Sequence, residues 1–524
     1  MVSVPFATRH APTGMVCSVD HLASEAGVAM LRAGGTAADA AIAANAVLAV
    51  TCQHLCGMGG DLFVLVHTGD GPPECLNASG RAGSGADAAA MRAEGLTSMP
   101  LFDDIRAVTV PGCVDGWLLL HARHGRLPLS DVLAPARDYA VDGFPASPSL
   151  AGSVARLASR PVMADYTEAG PLVAGGLVRR AGVARALDAV AVGDRAGFYE
   201  GEFGHELLAL GRGLFTADDL ARRQAEWVEP LGARAWGHDL WTVPPNSQGY
   251  LTLAAAWIAD GLDLSGGPDD ERWAHLLVEA ARQVAFDRPA VLHDGADGPA
   301  LLAPERLLPR RHAIGDTAAD LGVAPIPGGT MALVAADGDG MGVSLIQSNA
   351  AGFGSNLAVP GLRIFLQNRG LGFSLQAGHP AELAPGRRPP HTLSPALVTA
   401  PDGSLAALLG TMGGDSQPQI LLQLLARHLA AGESPGRTIA AGRFVLRGGT
   451  TGFDTWSDGG RVTIDIEDHA PAAWADGLRR RGHAVRVEAP WGGNFGHAHL
   501  IAPTASGWAG AADPRHATSA TAAY

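Results

Sequence analysis

The chain contains no lysine at all: its 38 positively charged side chains are all arginines. Without lysine there can be no Schiff base to an aldehyde cofactor, no phosphate-loop lysine and no Ser-Lys dyad. Charge is scarce as well. Charged residues make up 17% of the 524, against 47% hydrophobic, and the formal net charge is −14. An acidic surface repels nucleic acid and anionic lipid unless a local basic patch intervenes, and the short "RRRGH" at 479–483 reads as a solvated helix end. Neither nucleic acid nor a membrane is therefore expected as a partner. The most apolar stretch, from Thr36 to Cys52, is broken by Asp39 and Asn45, too early for a bilayer span. The amino terminus has no basic start followed by an apolar core, so no secretory signal is expected and the cytoplasm is the predicted compartment. Cysteines number five, an odd count without scaffold spacing, as for reduced thiols. "CQHLC" at 52–56 offers at most three metal ligands and no second half, so no metal site is predicted. Neither "HTLSPA" nor "GSGADA" makes a GxSxG elbow, and no GxGxxG fingerprint or phosphate loop is present.

What is present reads as a large mixed α and β protein. "DHLASEAGVAMLRAGGTAADAAIAANAVLAV" predicts two core helices parted by Gly34-Gly35, the second capped by Thr36 with Asp39 three residues on. "GMGGDLFVLVH" predicts a glycine turn leading into a strand, and "CLNASGRAG" a strand ending in a turn that carries Arg81. Residues from about 114 to 225 read as helical, with caps such as Ser130 and Thr216. Strands return before the Pro-Asn-Ser loop that leads to a helix near Tyr250. From about 297 to 329, Pro, Gly and Arg suggest a loop or linker. "TMALVAADGDGMGVSLIQSN" then predicts a hairpin beginning at Thr330. "GHAHLIAP" is expected to be the last strand, with a surface tail after Gly507.

Two stretches can carry chemistry. In "GTMGGDSQPQ" (410–419) a strand meets a helix through glycines, so backbone N–H groups point outward at a helix amino terminus and can hold an oxyanion or phosphate; Gly413 and Gly414 are the oxyanion candidates. In "PIPGGTMALV" a cut before Thr330 would put a hydroxyl and an α-amine on one residue. An amine titrating near pH 8 can take the hydroxyl proton, which makes threonine a nucleophile without a histidine.

Those motifs, with "VPGCVDGW", "VPPNSQG", "EAARQVAFDR", "RRPPHTLSPALV" and "GAADPRHATSATAAY", resemble the γ-glutamyltranspeptidase family of amino-terminal nucleophile hydrolases nearly from end to end. The resemblance implies an α+β fold, a four-layer αββα sandwich of two stacked antiparallel sheets between helical layers. It implies a proenzyme cut at Gly329–Thr330 into a large subunit, 1–329, and a small subunit, 330–524, which together form one catalytic unit. A homodimer of these heterodimers is the candidate assembly. Thr330 matches the family's nucleophile, Ser348 the hydroxyl that assists it, Gly413 and Gly414 the oxyanion pair, and Arg81 the arginine that clasps a substrate carboxylate. No metal or organic cofactor is implied.

Several positions depart from the transpeptidase pattern. Arg369 and Gly372 stand where an acidic or amide pair would hold a substrate ammonium, His391 and Thr392 where two serines would hold its carboxylate, and Ala350 where an asparagine is expected. Met331 and Ala332 replace a threonine and a histidine. A cation at 369 repels an ammonium and suits an acidic acyl group such as oxamate or glutaryl. Arg81, Arg369, His391 and Thr392 are therefore the predicted substrate-binding residues of an amidohydrolase or acyltransferase acting through an acyl-threonine. Genuine γ-glutamyl transfer or glutathione hydrolysis is the alternative reading, and a non-catalytic binding relative a third.

Overall fold

The computed structural model describes residues 7–319, 330–448 and 462–524. Two seven-stranded antiparallel sheets dominate it. The first runs Ala520–Ala523, Met15–Ser18, Met331–Ala336, Gly342–Ser348, Asp61–His67, Glu74–Ala78, Glu226–Val228. The second runs Arg9–Ala11, Gly507–Ala512, Ala498–Thr504, Leu405–Thr411, Ala396–Thr399, His238–Thr242, Leu231–Ala235.

The layering follows from strand periodicity. Successive side chains leave opposite faces, so a strand buried on both sides divides its apolar residues between two cores. Leu62, Val64 and Val66 pack outward against helices such as Ala37–Thr51 and Leu129–Asp142. Phe63 and Leu65 pack inward with Ala332, Val334 and Ile346 of their own sheet and Leu397, Leu408 and Ile501 of the other. The far face of the second sheet, including Ala407, Leu409 and Leu500, is covered by helices Tyr250–Asp260, Glu271–Ala285 and Gln417–Leu425. The result is the expected αββα sandwich. Helix Ala37–Thr51 is buried along its whole length, and no helix among the described residues is long and apolar enough to cross a membrane.

Local signals explain most elements. Thr36 and Asp39 form a reciprocal capping box, and the Asp39 carboxylate also accepts the N–H groups of Arg126 and Leu127, tying the second core helix to a distant loop. The same box recurs at Thr216 and Asp219. All five cysteines are free and buried.

Three expectations are corrected. The stretch from 297, read as linker, holds helices Gly298–Leu301 and Pro304–His312; each has proline in its first turn, where no N–H is missed, so proline there starts a helix rather than breaking one. Ser130 is not a cap: its helix, Leu129–Asp142, begins one residue earlier, after Pro128. The segment after Gly507 is not a surface tail. Gly507–Ala512 and Ala520–Ala523 are strands, one in each sheet, and the Tyr524 carbonyl accepts the N–H groups of Thr13 and Gly14. Small residues there permit close packing; they do not mark exposure.

The two sheets come close together at Gly410, where an added Cβ would lie 2.8 Å from that of Ala332. Nearby, the Ser344 hydroxyl donates to the Leu409 carbonyl across the gap at 2.7 Å. Gly410→Ala is expected to force the sheets apart at the strand headed by Thr330, costing about 1–3 kcal/mol of stability. Thermal denaturation measures this, and an unchanged midpoint would refute the close-packing reading.

Candidate functional site

The site grows out of strand register. In the hairpin Met331 pairs with Gln347, so Thr330, one step earlier, lies beside Ser348. Ser348 in turn pairs with Asp61 on the next strand. Residues directly opposite in antiparallel strands project from the same face. Thr330, Ser348 and Asp61 therefore form a row facing the space between the sheets, continuing the inward set of Ala332, Ile346 and Phe63. All three are fully buried. Thr330 Oγ1 lies 3.2 Å from Ser348 Oγ, so one hydroxyl can donate to the other. Ser348 Oγ also accepts the Ala350 N–H at 2.8 Å. That contact accompanies a left-handed backbone at Ala350, φ 74°, which costs a non-glycine residue about 1 kcal/mol or more.

The second sheet supplies the opposite wall. Strand Leu405–Thr411 crosses Ala332 at Gly410 and ends in Gly413 and Gly414, with φ of 144° and 55°, before helix Gln417–Leu425. Such positive angles favour glycine. Among the described residues neither glycine N–H donates a hydrogen bond, and both lie at the positive end of the helix, as donors for an oxyanion should. Gln248 Nε2 holds the turn by donating to the carbonyls of Gly414 and Thr392, each at 3.0 Å. Arg288 pairs with Asp415, the next residue, at 3.2 Å.

Charge in this closed space is organised around Arg369. Its Nη1 donates to Thr392 Oγ1 at 3.0 Å, and Asp61 and Asp415 attract it. Burial lowers its pKa to about 10, which leaves the guanidinium cationic at neutral pH. His391 Nδ1 accepts the Leu393 N–H, so its Nε2 carries the proton and donates to Asp61 Oδ2 at 3.0 Å. Burial, reinforced by Arg369, Arg388 and Arg288, holds His391 well below its usual range, so the imidazole is neutral. Burial pushes Asp61 up to about 6, opposed by Arg369 and by the N–H groups of Gly80 and Gly112.

Most of the predicted residues thus gather at one end of the sandwich: Thr330, Ser348, Gly413, Gly414, Arg369, His391 and Thr392. Arg81 is set apart. Its guanidinium pairs with Glu226 at 3.1 Å and approaches Asp294 at 3.9 Å, in a cluster that also includes Arg388. It is linked to the site through Gly80, whose N–H bonds Asp61. Gly329 lies outside the described residues. Sequence reasoning missed Asp61, Gln248, Asp415 and Arg288. For Asp61 a signal existed, a carboxylate at the head of an otherwise apolar, doubly buried strand.

Known proteins resemble this chain over nearly its whole length. The profile of the family described as gamma-glutamyltranspeptidase matches residues 23–523. The glutathione hydrolase-like YwrD proenzyme of Bacillus subtilis is 36% identical over 519 residues, covering 96% of this chain and 97% of that protein. The oxamate amidohydrolase proenzyme of Klebsiella pneumoniae is 35% identical over 523 residues, covering 96% and 97%. Among solved structures, cephalosporin acylase from Bacillus halodurans superposes with a TM-score of 0.89 at 33% identity, covering 100% of this chain and 99% of that one.

The raised Asp61 gives a pH signature. A carboxyl whose folded pKa exceeds its unfolded one binds its proton more tightly when folded, so its contribution is present at low pH and lost as pH rises from about 4 through about 6. Relative to wild type, Asp61→Asn is expected to gain up to about 3 kcal/mol across that window, about 2 pKa units of linkage. Thermal denaturation against pH measures it; a difference between the two proteins that stays constant with pH would contradict the assignment.

Proposed function

Because this chain belongs to the gamma-glutamyltranspeptidase family, whose relatives here are hydrolases made as proenzymes, we propose that Thr330 is the nucleophile of a self-processing amidohydrolase acting on amides of a small acidic acyl group. The observation that carries the reading is the buried row of Thr330, Ser348 and Asp61 facing a glycine turn and a buried arginine.

In maturation the Thr330 hydroxyl attacks the Gly329 carbonyl, the acyl group shifts from nitrogen to oxygen, and water hydrolyses the resulting ester. The products are a large subunit, 1–329, and a small subunit, 330–524, whose first residue carries a free amine. That amine then takes the hydroxyl proton as Thr330 attacks the substrate amide, with Ser348 holding the hydroxyl in place. The tetrahedral oxyanion is held by the N–H groups of Gly413 and Gly414, a contribution of about 3–4 kcal/mol per donor in comparable sites. The C–N bond breaks, the amine departs with the proton, and water resolves the acyl-threonine.

Substrate choice rests on Arg369. A buried guanidinium beside Thr392 and a neutral His391 suits a carboxylate on the acyl group and opposes an ammonium there. Oxamate, the substrate in the name of the Klebsiella relative, is an amide whose acyl carbon bears a carboxylate, and it fits that chemistry. Glutathione hydrolysis, suggested by the name of the Bacillus subtilis relative, would require an ammonium to be tolerated near Arg369.

Two outcomes are expected. On a denaturing gel the purified chain separates into two fragments, the smaller beginning at Thr330, and Thr330→Ala remains intact and loses at least about 10³-fold in activity; an intact chain with full activity would refute the proposal. Arg369→Gln is expected to lower kcat/KM for an oxamate-type amide by about 10- to 100-fold, the worth of one charge-assisted contact, while hydrolysis of a γ-glutamyl amide does not fall. Equal losses on both substrates would remove Arg369 from specificity.

A further inference from the structure

Two motifs read from the sequence, "VPPNSQG" and "RRPPHTLSPALV", lie side by side at the site. The His391 N–H donates to the Asn246 carbonyl and the Gln248 N–H to the His391 carbonyl, each at 2.8 Å. Asn246 Nδ2 donates to the Pro389 carbonyl at 2.7 Å, and Ser247 Oγ to the Leu393 carbonyl at 2.6 Å. The segment that carries His391 and Thr392 is thus laid along residues 246–248. The fully buried Gln248 side chain reaches further, since its Nε2 joins the carbonyl of Thr392 to that of Gly414. Neither carbonyl depends on this amide for a partner. That of Gly414 also accepts the Gln417 N–H, and that of Thr392 the Ser394 hydroxyl at 3.2 Å. What Gln248 adds is therefore a link, which keeps the two carbonyls within two hydrogen-bond lengths of each other. Gln417 also meets this segment, its Oε1 accepting the Ser394 N–H at 3.0 Å, but it does so from the helix and two residues beyond Thr392. Gln248 bonds directly to the turn and to the residue whose hydroxyl holds Arg369 Nη1.

Resting on the reading of Gly413–Gly414 as the oxyanion turn and Arg369 as the carboxylate partner, we propose that Gln248 sets the separation between them. It thereby selects, among monoamides of dicarboxylic acids, those of one chain length. Gln248 is a positioning residue: it touches two main-chain carbonyls, not the reacting atoms. The two places it joins receive opposite ends of the acyl group, the scissile carbonyl at the turn and the carboxylate at Thr392 and Arg369. Both ends can be seated at once only by an acyl group that spans the separation. One methylene too many or too few leaves the carboxylate unpaired in a buried site or draws the carbonyl away from its donors. A fixed separation therefore acts as a gauge of length, and a loose one does not.

The test measures ammonia release from oxamic, malonamic, succinamic and glutaramic acids by the processed wild type, Gln248→Met and Gln248→Leu. Both substitutions remove the donors without adding charge and leave each carbonyl its other partner, and thermal denaturation identifies the folded variants. Wild type is expected to prefer one acid, with kcat/KM lower by about tenfold or more for a neighbour one methylene away. In the variants kcat/KM for that acid is expected to fall by about 10- to 100-fold, and the difference between neighbours to shrink to about threefold or less. Equal losses on every acid, with the wild-type preference kept, would overturn the role of Gln248 alone. So would a folded variant that no longer separates into two fragments, since the link would then serve the bond-breaking step rather than the choice of length. A wild type that hydrolyses none of the acids would overturn the functional reading and the gauge together.

Discussion

The register of one β-hairpin holds the candidate site together. Because Met331 pairs with Gln347, Thr330 must lie beside Ser348, and because Ser348 pairs with Asp61, three polar side chains enter one face of an otherwise apolar sheet at the same level. A slip of one residue would turn all three toward the helices. The slip is opposed by the apolar alternation itself, since Ala332, Val334 and Ile346 would leave the intersheet core with them. The chemistry is thus held by the same forces that hold the core. The second sheet completes it, since Gly410 lets the Gly413–Gly414 turn approach the head of the hairpin.

Electrostatics organises the buried end of the sandwich. Burial penalises every charge, and the site answers with a small set that supports itself: Arg369 near Asp61 and Asp415, Asp415 with Arg288, and a neutral His391 donating to Asp61. The neutral imidazole adds no positive charge beside the arginine and orients the carboxylate. On the proposed function, an incoming acyl group meets a fixed cation and fixed dipoles in a medium of low dielectric, where one charge discriminates strongly between carboxylate and ammonium.

Much of this was legible in the residues, for identifiable reasons. The hairpin from Thr330, the glycine turn before helix Gln417–Leu425 and the Thr36 cap all carry short-range signals, a period of two or a cap three residues from its partner, and each stands as read. What failed was long-range. Asp61 meets His391 across 330 residues of chain, and Arg288 meets Asp415 across more than a hundred; no local spacing encodes such pairs. The carboxyl-terminal strands were misread because alanine and glycine look like a solvated tail until the neighbouring strands they pair with are known. Arg81 shows the opposite limit: its place in a motif was clear, yet its guanidinium is engaged by Glu226, a contact visible only in three dimensions.

The proposed function requires Thr330 to form a covalent acyl ester, and trapping that ester tests it most directly. The processed protein would be incubated with a slowly hydrolysed amide of an acidic acyl group, quenched in acid, digested and examined by mass spectrometry. The peptide beginning at Thr330 is expected to gain the mass of the acyl group on its first residue, and no such adduct is expected with Thr330→Ala. An adduct on Ser348 or on a cysteine, or turnover with no adduct on the small subunit at all, would contradict it.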